Sequence, residues 1–141
     1  MKKLLFILLF GVSPAFAESI ERVKDGDTVV IANANPPKEF LQNIGRLNGI
    51  DTPESTPQHA KCKKEIALGL KAKKFTQDFI AGKGELVILY FRDDKSKNGW
   101  DKYGRYLIAI EKDGVDLSEQ LVREGLAVYY DGGTKEKDWC E

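Results

Sequence analysis

The chain has 141 residues, 42% of them apolar and 31% charged, which is enough for one globular domain and too few for two with separate cores. This balance excludes a wholly disordered, collagen-like or polytopic membrane protein. Lys plus Arg and Asp plus Glu each number 22, so bulk charge does not hold this chain to nucleic acid, and any basic binding surface must be local.

Residues 1–17 have the order of a secretory signal peptide. Lys2 and Lys3 precede an apolar run from Leu4 to Val12, and Ala15-Phe16-Ala17 is a small-x-small cleavage site. The run is too short for a transmembrane anchor, which must cross about 30 Å of hydrocarbon. The expectation is export, to a periplasm or out of the cell, and a mature single domain over residues 18–141. No later stretch is long enough to span a membrane, so a soluble product is expected. Without the leader the chain keeps 20 basic against 22 acidic residues.

Ser19 to Lys24 reads as an edge strand, and Asp25-Gly26-Asp27 as a turn. Thr28 to Ala32 is β-branched and apolar, hence a strand. After a turn at 33–37, Lys38 to Asn48 reads as a third strand, so the first third is a β-meander. Gly49 to His59 holds two prolines and reads as a loop. From Cys62 to Gly82 the period changes. Ile66 with Leu70, Leu68 with Ala72 and Phe75 with Phe79 recur at i, i+4 among lysines, which predicts a helix ended by Gly82 and Gly84. Glu85 to Arg92 predicts a buried strand, Asp93 to Arg105 an exposed loop and Tyr106 to Glu111 another strand, closed by a turn at Lys112-Asp113-Gly114. Asp116-Leu117-Ser118-Glu119 resembles a capping box. It opens a helix with Leu117, Leu121 and Val122 facing inward and Gly125 at its C-terminal cap. About five strands and two or three helices are compatible with a small barrel of the oligonucleotide-binding (OB) type, one candidate among several on pattern alone.

Export changes how the cysteines read. Cys62 and Cys140 are the only two, and in an oxidising compartment one disulfide is the simplest arrangement. It would close a loop of about 78 residues, worth about 4 kcal/mol in the chain-entropy model. Two buried free thiols are the alternative. Two cysteines and one histidine at these spacings do not make a zinc site.

Three segments concentrate functional side chains: Asp25-Gly26-Asp27-Thr28, Arg46-Leu47-Asn48-Gly49-Ile50-Asp51-Thr52-Pro53-Glu54 and Asp101-Lys102-Tyr103-Gly104-Arg105. Taken singly, the first reads more simply as a plain turn between strands, and the plain reading of the other two is a solvated loop. Taken together, Asp27 and Asp51 supply hard oxygen ligands suited to Ca²⁺ or Mg²⁺. Arg46 and Arg105 match the two-pronged geometry of a phosphate, and Glu54 is a spare carboxylate able to take a proton from water. These are the parts of a phosphodiester hydrolase. Elsewhere the plainer readings are preferred. His59 is a loop surface residue, and the lysines at 61, 63, 64, 71, 73 and 74 form a solvated helix face. Trp139 packs the tail, while Trp100 either packs its loop or stacks on a base.

The three motifs, with Leu121 to Ala127 (LVREGLA), resemble those of the staphylococcal nuclease family in order and spacing, and the likeness covers roughly Ser19 to Val128. It implies an α+β, mainly β fold, a five-stranded OB-type barrel with two to three helices. It implies Ca²⁺ held by Asp27, Asp51 and the backbone carbonyl of Thr52, with Glu54 as the base for the attacking water. Arg46 and Arg105 would contact the scissile phosphate and Tyr103 a nucleotide phosphate. The implied function is a Ca²⁺-dependent, secreted endonuclease that cuts DNA and RNA to 3′-phosphate ends. A monomer is expected, with no membrane association after leader cleavage. The alternative is a non-catalytic nucleic-acid-binding module of the same barrel, for which Asp27, Asp51 and Glu54 would have little use, because they repel phosphate. The chain departs from the family pattern at Asn48-Gly49 and in its short tail after Val128, where a disulfide to Cys62 would replace helical packing.

Overall fold

The computed structural model describes residues 19–32, 43–91 and 99–141. The leader at 1–17, the first half of the third predicted strand and most of the loop before Gly99 lie outside the described residues. The elements run β1 (Ser19–Asp25), β2 (Thr28–Ala32), β3 (Ile44–Leu47), β4 (Ile50–Asp51), α1 (Lys63–Ala81), β5 (Leu86–Tyr90), β6 (Tyr106–Lys112), β7 (Val115–Asp116), α2 (Leu117–Arg123) and β8 (Val128–Tyr129). Among the described residues, no helix is long and apolar enough to cross a membrane.

The main sheet is ordered β1-β2-β3-β6-β5, with β7 appended to β6. β1, β2 and β3 pair antiparallel as a meander. The chain then crosses over through α1 and β5, so β6 returns parallel to β3 and antiparallel to β5. Register shifts at Ile20/Arg22 and Val23/Asp25 put extra residues into β1 and increase its twist. The result is a curled half-barrel of five strands with two helices among the described residues, mixed α+β, mainly β and of the OB type.

Val29 and Ile31 on β2, Leu47 on β3, and Ile108 and Ile110 on β6 alternate inward and meet Leu117 and Leu121 of α2. Helix α2 starts where the motif predicts it, with Asp116 Oδ1 accepting from Glu119 N at 2.9 Å. The reciprocal half of the box is absent, because the Glu119 carboxylate accepts instead from the Tyr129 hydroxyl at 3.0 Å. At its end Gly125 takes φ 71°, and Leu126 N reaches back to Leu121 O at 2.9 Å.

Helix α1 bears out the expected inward positions Ala72, Phe75 and Phe79 and corrects the expectation in its first half. Its boundaries agree, with Cys62 and Gly82 as the caps. Its most buried residues, however, are Glu65, Gly69, Ala72 and Thr76, a stripe spaced 4, 3 and 4, while Leu70 is 52% exposed. The stripe is small and polar where Gly69 and Thr76 meet the backbone of the loops, while Ala72 joins the hydrophobic core and Phe75 and Phe79 pack against it partly buried. The last turn of α1 has no basic residue of its own. Buried Lys112 of β6 supplies one, donating from Nζ to Ile80 O at 2.7 Å and to Gly82 O at 2.5 Å.

A second correction concerns β5. Predicted buried, it instead has Val87, Leu89 and Tyr90 about 40% exposed, because it ends the strand order and its outer face carries no described element. A third concerns residues 49–59 and 128–129. Ile50 and Asp51 are not loop but pair with Tyr129 and Val128, a two-residue ladder too short for periodicity to reveal.

Candidate functional site

The turn after β1, the end of β3 and the strand β4 meet at one point. Arg46 leaves β3 on the face opposite Leu47 and is only 7% exposed. Its Nη1 lies 2.9 Å from Asp27 Oδ2 and its Nη2 3.2 Å from Asp51 Oδ1. Nη1 also donates to Leu47 O at 3.1 Å. Asp27 is fixed further by Thr52 N at 2.9 Å and by the Thr28 hydroxyl at 2.8 Å. Two buried carboxylates thus converge on one guanidinium, a charge-assisted arrangement that fixes all three groups. The Asn48-Gly49 departure does not disturb it. Gly49 makes the turn into β4 at φ 81°, a backbone conformation that glycine adopts freely, and Asp51 still faces Arg46.

Glu54 lies beside this cluster and is held through its backbone by α1. The Glu65 carboxylate accepts from Glu54 N at 3.4 Å and from Lys61 N at 2.7 Å. At Gly69 a Cβ would overlap the Glu54 carbonyl oxygen, so the loop rests directly on the helix backbone. Ser55 Oγ donates to Asp25 Oδ1. Thr76 Oγ1 donates to Gly26 O at 2.6 Å, which holds the Asp27 turn on the same helix. The buried stripe of α1 is therefore the platform for both carboxylate-bearing loops.

A further cation comes from the C-terminal tail. Lys135 Nζ lies 2.8 Å from Asp51 Oδ1 and 3.4 Å from Glu54 Oε1. The tail is fastened by the Cys62–Cys140 disulfide and by buried Trp139. It borders an open cleft of about 870 Å³ that includes Asp51, Tyr129, Tyr130 and Lys135. Burial raises the Asp51 carboxyl above its ordinary value against the pull of Lys135. Glu54 is raised as well, by burial first and then by the charges of Asp25 and Asp27, with Lys135 opposing. For Lys135 burial works downward, but the bond to Asp51 and the charges of Asp51, Glu54 and Asp27 outweigh it and leave the ammonium raised.

Arg105 and Tyr103 are not in direct contact with this cluster. They occupy the turn before β6, which is organised by Asp101. Its Oδ1 accepts from Tyr103 N and Arg105 N at 2.9 and 3.0 Å, and its Oδ2 from Arg105 Nε at 2.6 Å. Tyr103 is 63% exposed, with the Arg105 guanidinium 5.3 Å from its ring centre. Register puts Arg46 opposite Leu107, so Arg105, two residues earlier, falls on the Arg46 side of the sheet. At ordinary strand spacing the two α-carbons are about 8 Å apart. Trp100 packs on Tyr106, ring centres 4.0 Å apart, and His59 is an exposed loop residue near the Thr56 hydroxyl.

The donor chemistry fits a hard divalent cation. Asp27 and Asp51 offer carboxylate oxygens to one shared cation, and the buried Thr52 Oγ1 beside them has no hydrogen-bond partner. Among the described residues no group of three or more His, Cys, Asp or Glu side chains is placed to hold a metal. The two aspartates would therefore need backbone carbonyl and water oxygens to complete a shell, as the Thr52 expectation requires. Sequence reading missed Lys135, Glu65, Gly69 and Thr76. The last three are visible in retrospect as a small and polar stripe of heptad-like spacing, whereas Lys135 lies in the tail with no local signal.

An OB-type half-barrel thus carries a buried Arg–carboxylate cluster beside an open cleft. The sequence profile of staphylococcal nuclease homologues matches residues 45–139, and the chain belongs to that family. Its members are generally nucleases, hydrolases that act on nucleic acids and typically use Ca²⁺. The chain is also 30% identical over 106 residues to an uncharacterized protein of Bacillus anthracis, covering 75% of this chain and 44% of that relative. It thus spans less than half the length of the relative.

Proposed function

We propose that this protein is an exported, Ca²⁺-dependent endonuclease that hydrolyses phosphodiester bonds of DNA and RNA. The observation that carries the reading is the convergence of Asp27 and Asp51 on Arg46 with Glu54 alongside. Three carboxylates face two cations, a site that repels phosphate until a divalent ion joins it. Asp27, Asp51 and the Thr52 carbonyl would hold that ion, and when bound it would offset and polarise the phosphate charge. Arg46 and Arg105 bind the phosphoryl oxygens and stabilise the charge that grows on them in the transition state. Tyr103 contacts a neighbouring phosphate. Glu54 takes a proton from water as its oxygen bonds to phosphorus, and the P–O5′ bond breaks to leave a 3′-phosphate and a 5′-hydroxyl protonated from solvent. The disulfide, which persists in oxidising compartments, supports export.

The test is cleavage of single-stranded DNA with Ca²⁺ and then with excess chelator. Ca²⁺-dependent cutting that leaves 3′-phosphate ends is expected. DNA binding without cutting by the folded protein would replace this reading with a non-catalytic OB module.

A further inference from the structure

Lys135 plays no part in the reaction just described, yet its ammonium sits where a cation is most wanted. It touches two of the three carboxylates, at 2.8 Å from Asp51 Oδ1 and 3.4 Å from Glu54 Oε1, and it feels the third, Asp27. Its placement is built by the fold. Upstream, the tail is pinned where Val128 and Tyr129 pair with Asp51 and Ile50 and where Tyr130 N donates to Gly49 O at 2.9 Å. Within it, the Tyr130 hydroxyl donates to Gly133 O at 2.7 Å, and Gly133 N to Asp131 Oδ1 at 2.8 Å. Downstream, five residues past Lys135, Cys140 is bonded to Cys62 at the N-terminus of α1, and Lys64 Nζ donates to Glu141 O. Tying both ends of a short segment keeps its side chain at a high local concentration at its target.

Asp51 Oδ1 is already shared between Arg46 and Lys135. A carboxylate oxygen committed to two cations is a poorer ligand for a third, and a divalent ion at Asp51 would face a positive charge within a few ångströms. We propose that Lys135 is a tethered counter-ion that competes with the divalent cation for Asp51 and thereby sets the affinity of the site, with the Cys62–Cys140 bond holding it in place. The proposal rests on Asp27 and Asp51 being the metal ligands.

The experiment is calorimetric titration of calcium chloride into the metal-free protein and its variants, which reads binding without turnover. Lys135→Gln is expected to bind Ca²⁺ roughly fivefold more tightly, the scale of one half-exposed ion pair. Lys135→Arg keeps the charge and stays near wild type. Cys140→Ser releases the tail and tightens binding in the same direction, with no further gain when combined with Lys135→Gln. Asp51→Asn abolishes binding and serves as the control. Unchanged or weaker binding in Lys135→Gln, with Asp51→Asn inactive for Ca²⁺, overturns the counter-ion and leaves the metal site standing. A Lys135→Arg protein as tight as Lys135→Gln removes charge as the cause and overturns it equally. Wild-type affinity in Cys140→Ser overturns the tether. If neither wild type nor Lys135→Gln takes up Ca²⁺, or if Asp51→Asn binds it normally, the metal assignment itself fails and takes the proposal with it.

Discussion

Glu54 is a carboxylate kept under tension by its surroundings. Burial and the charges of Asp25 and Asp27 raise its pKa above the ordinary value, so the folded protein holds a proton there more tightly than the unfolded chain. The favourable share of that linkage is present at low pH and is lost as pH rises through the raised value. At neutral pH the ionised side chain is therefore a net cost to the metal-free fold. Glu54→Gln is expected to melt higher than wild type at pH 7, with the gap closing as pH falls towards the ordinary glutamate range, while nuclease activity drops. Thermal melts across pH in chelator, beside a DNA-cleavage assay, check both halves. Arg105 separates activity from stability in another way. Its partner Asp101 also takes the backbone N–H groups of Tyr103 and Arg105, so the turn keeps its own hydrogen bonds without the guanidinium. Arg105→Ala should melt within a degree or two of wild type and cut DNA about a hundredfold more slowly, the usual loss for one transition-state contact. Arg46→Ala would not separate them so cleanly, because it leaves Asp27 and Asp51 buried without their shared cation.

Among the elements, α1 carries the most information. A glycine inside a helix ordinarily costs about 1 kcal/mol relative to alanine, so Gly69→Ala would stabilise an isolated helix. Here the added Cβ overlaps the Glu54 carbonyl, and displacing that loop costs about 1–3 kcal/mol. Gly69→Ala is expected to lower both the melting temperature and kcat, as read by thermal melts and steady-state kinetics. The sequence made the boundaries of α1 and α2 legible through Cys62, Gly82, Asp116 and Gly125, because caps are local chemistry. It made Asp27, Arg46, Asp51 and Glu54 legible as motif residues, and the structure brings them together. The buried face of α1 was legible only in its second half, where Ala72, Phe75 and Phe79 pack in or against the core, because an i, i+4 count assumes that helices bury apolar side chains throughout. Its first half instead buries Glu65 and Gly69 against the loop at Glu54, and Thr76 reaches the backbone of Gly26. The exposure of β5 was hidden as well, since an apolar run does not say whether it is the central or the last strand of a sheet.

At the scale of the whole molecule, one covalent bond joins the tail to the helix platform. The Cys62–Cys140 bond closes 78 residues, and Cys62 Sγ also caps α1 by accepting from Glu65 N at 3.4 Å. Its removal is expected to cost about 4 kcal/mol, or roughly 15 °C in melting temperature for a domain of this size. Melts of the oxidised protein and of a Cys62→Ser, Cys140→Ser variant measure it. Lys135 escaped the sequence for a reason that belongs to this scale, since a residue 81 positions from Glu54 along the chain reaches it only through the folded tail. The same architecture leaves the molecule with two optical probes. Of its two tryptophans, Trp100 packs on Tyr106 at the head of β6, beside the Arg105 turn. Trp139 is buried and precedes the bridged Cys140 in sequence, so release of the tail would expose its ring to water. Reduction should shift Trp139 emission to the red as the tail is released and leave Trp100 unchanged, whereas nucleic acid arriving at Tyr103 should alter Trp100 first. With Trp100→Phe and Trp139→Phe proteins, ordinary fluorescence would follow tail release and substrate arrival as two separate signals in real time.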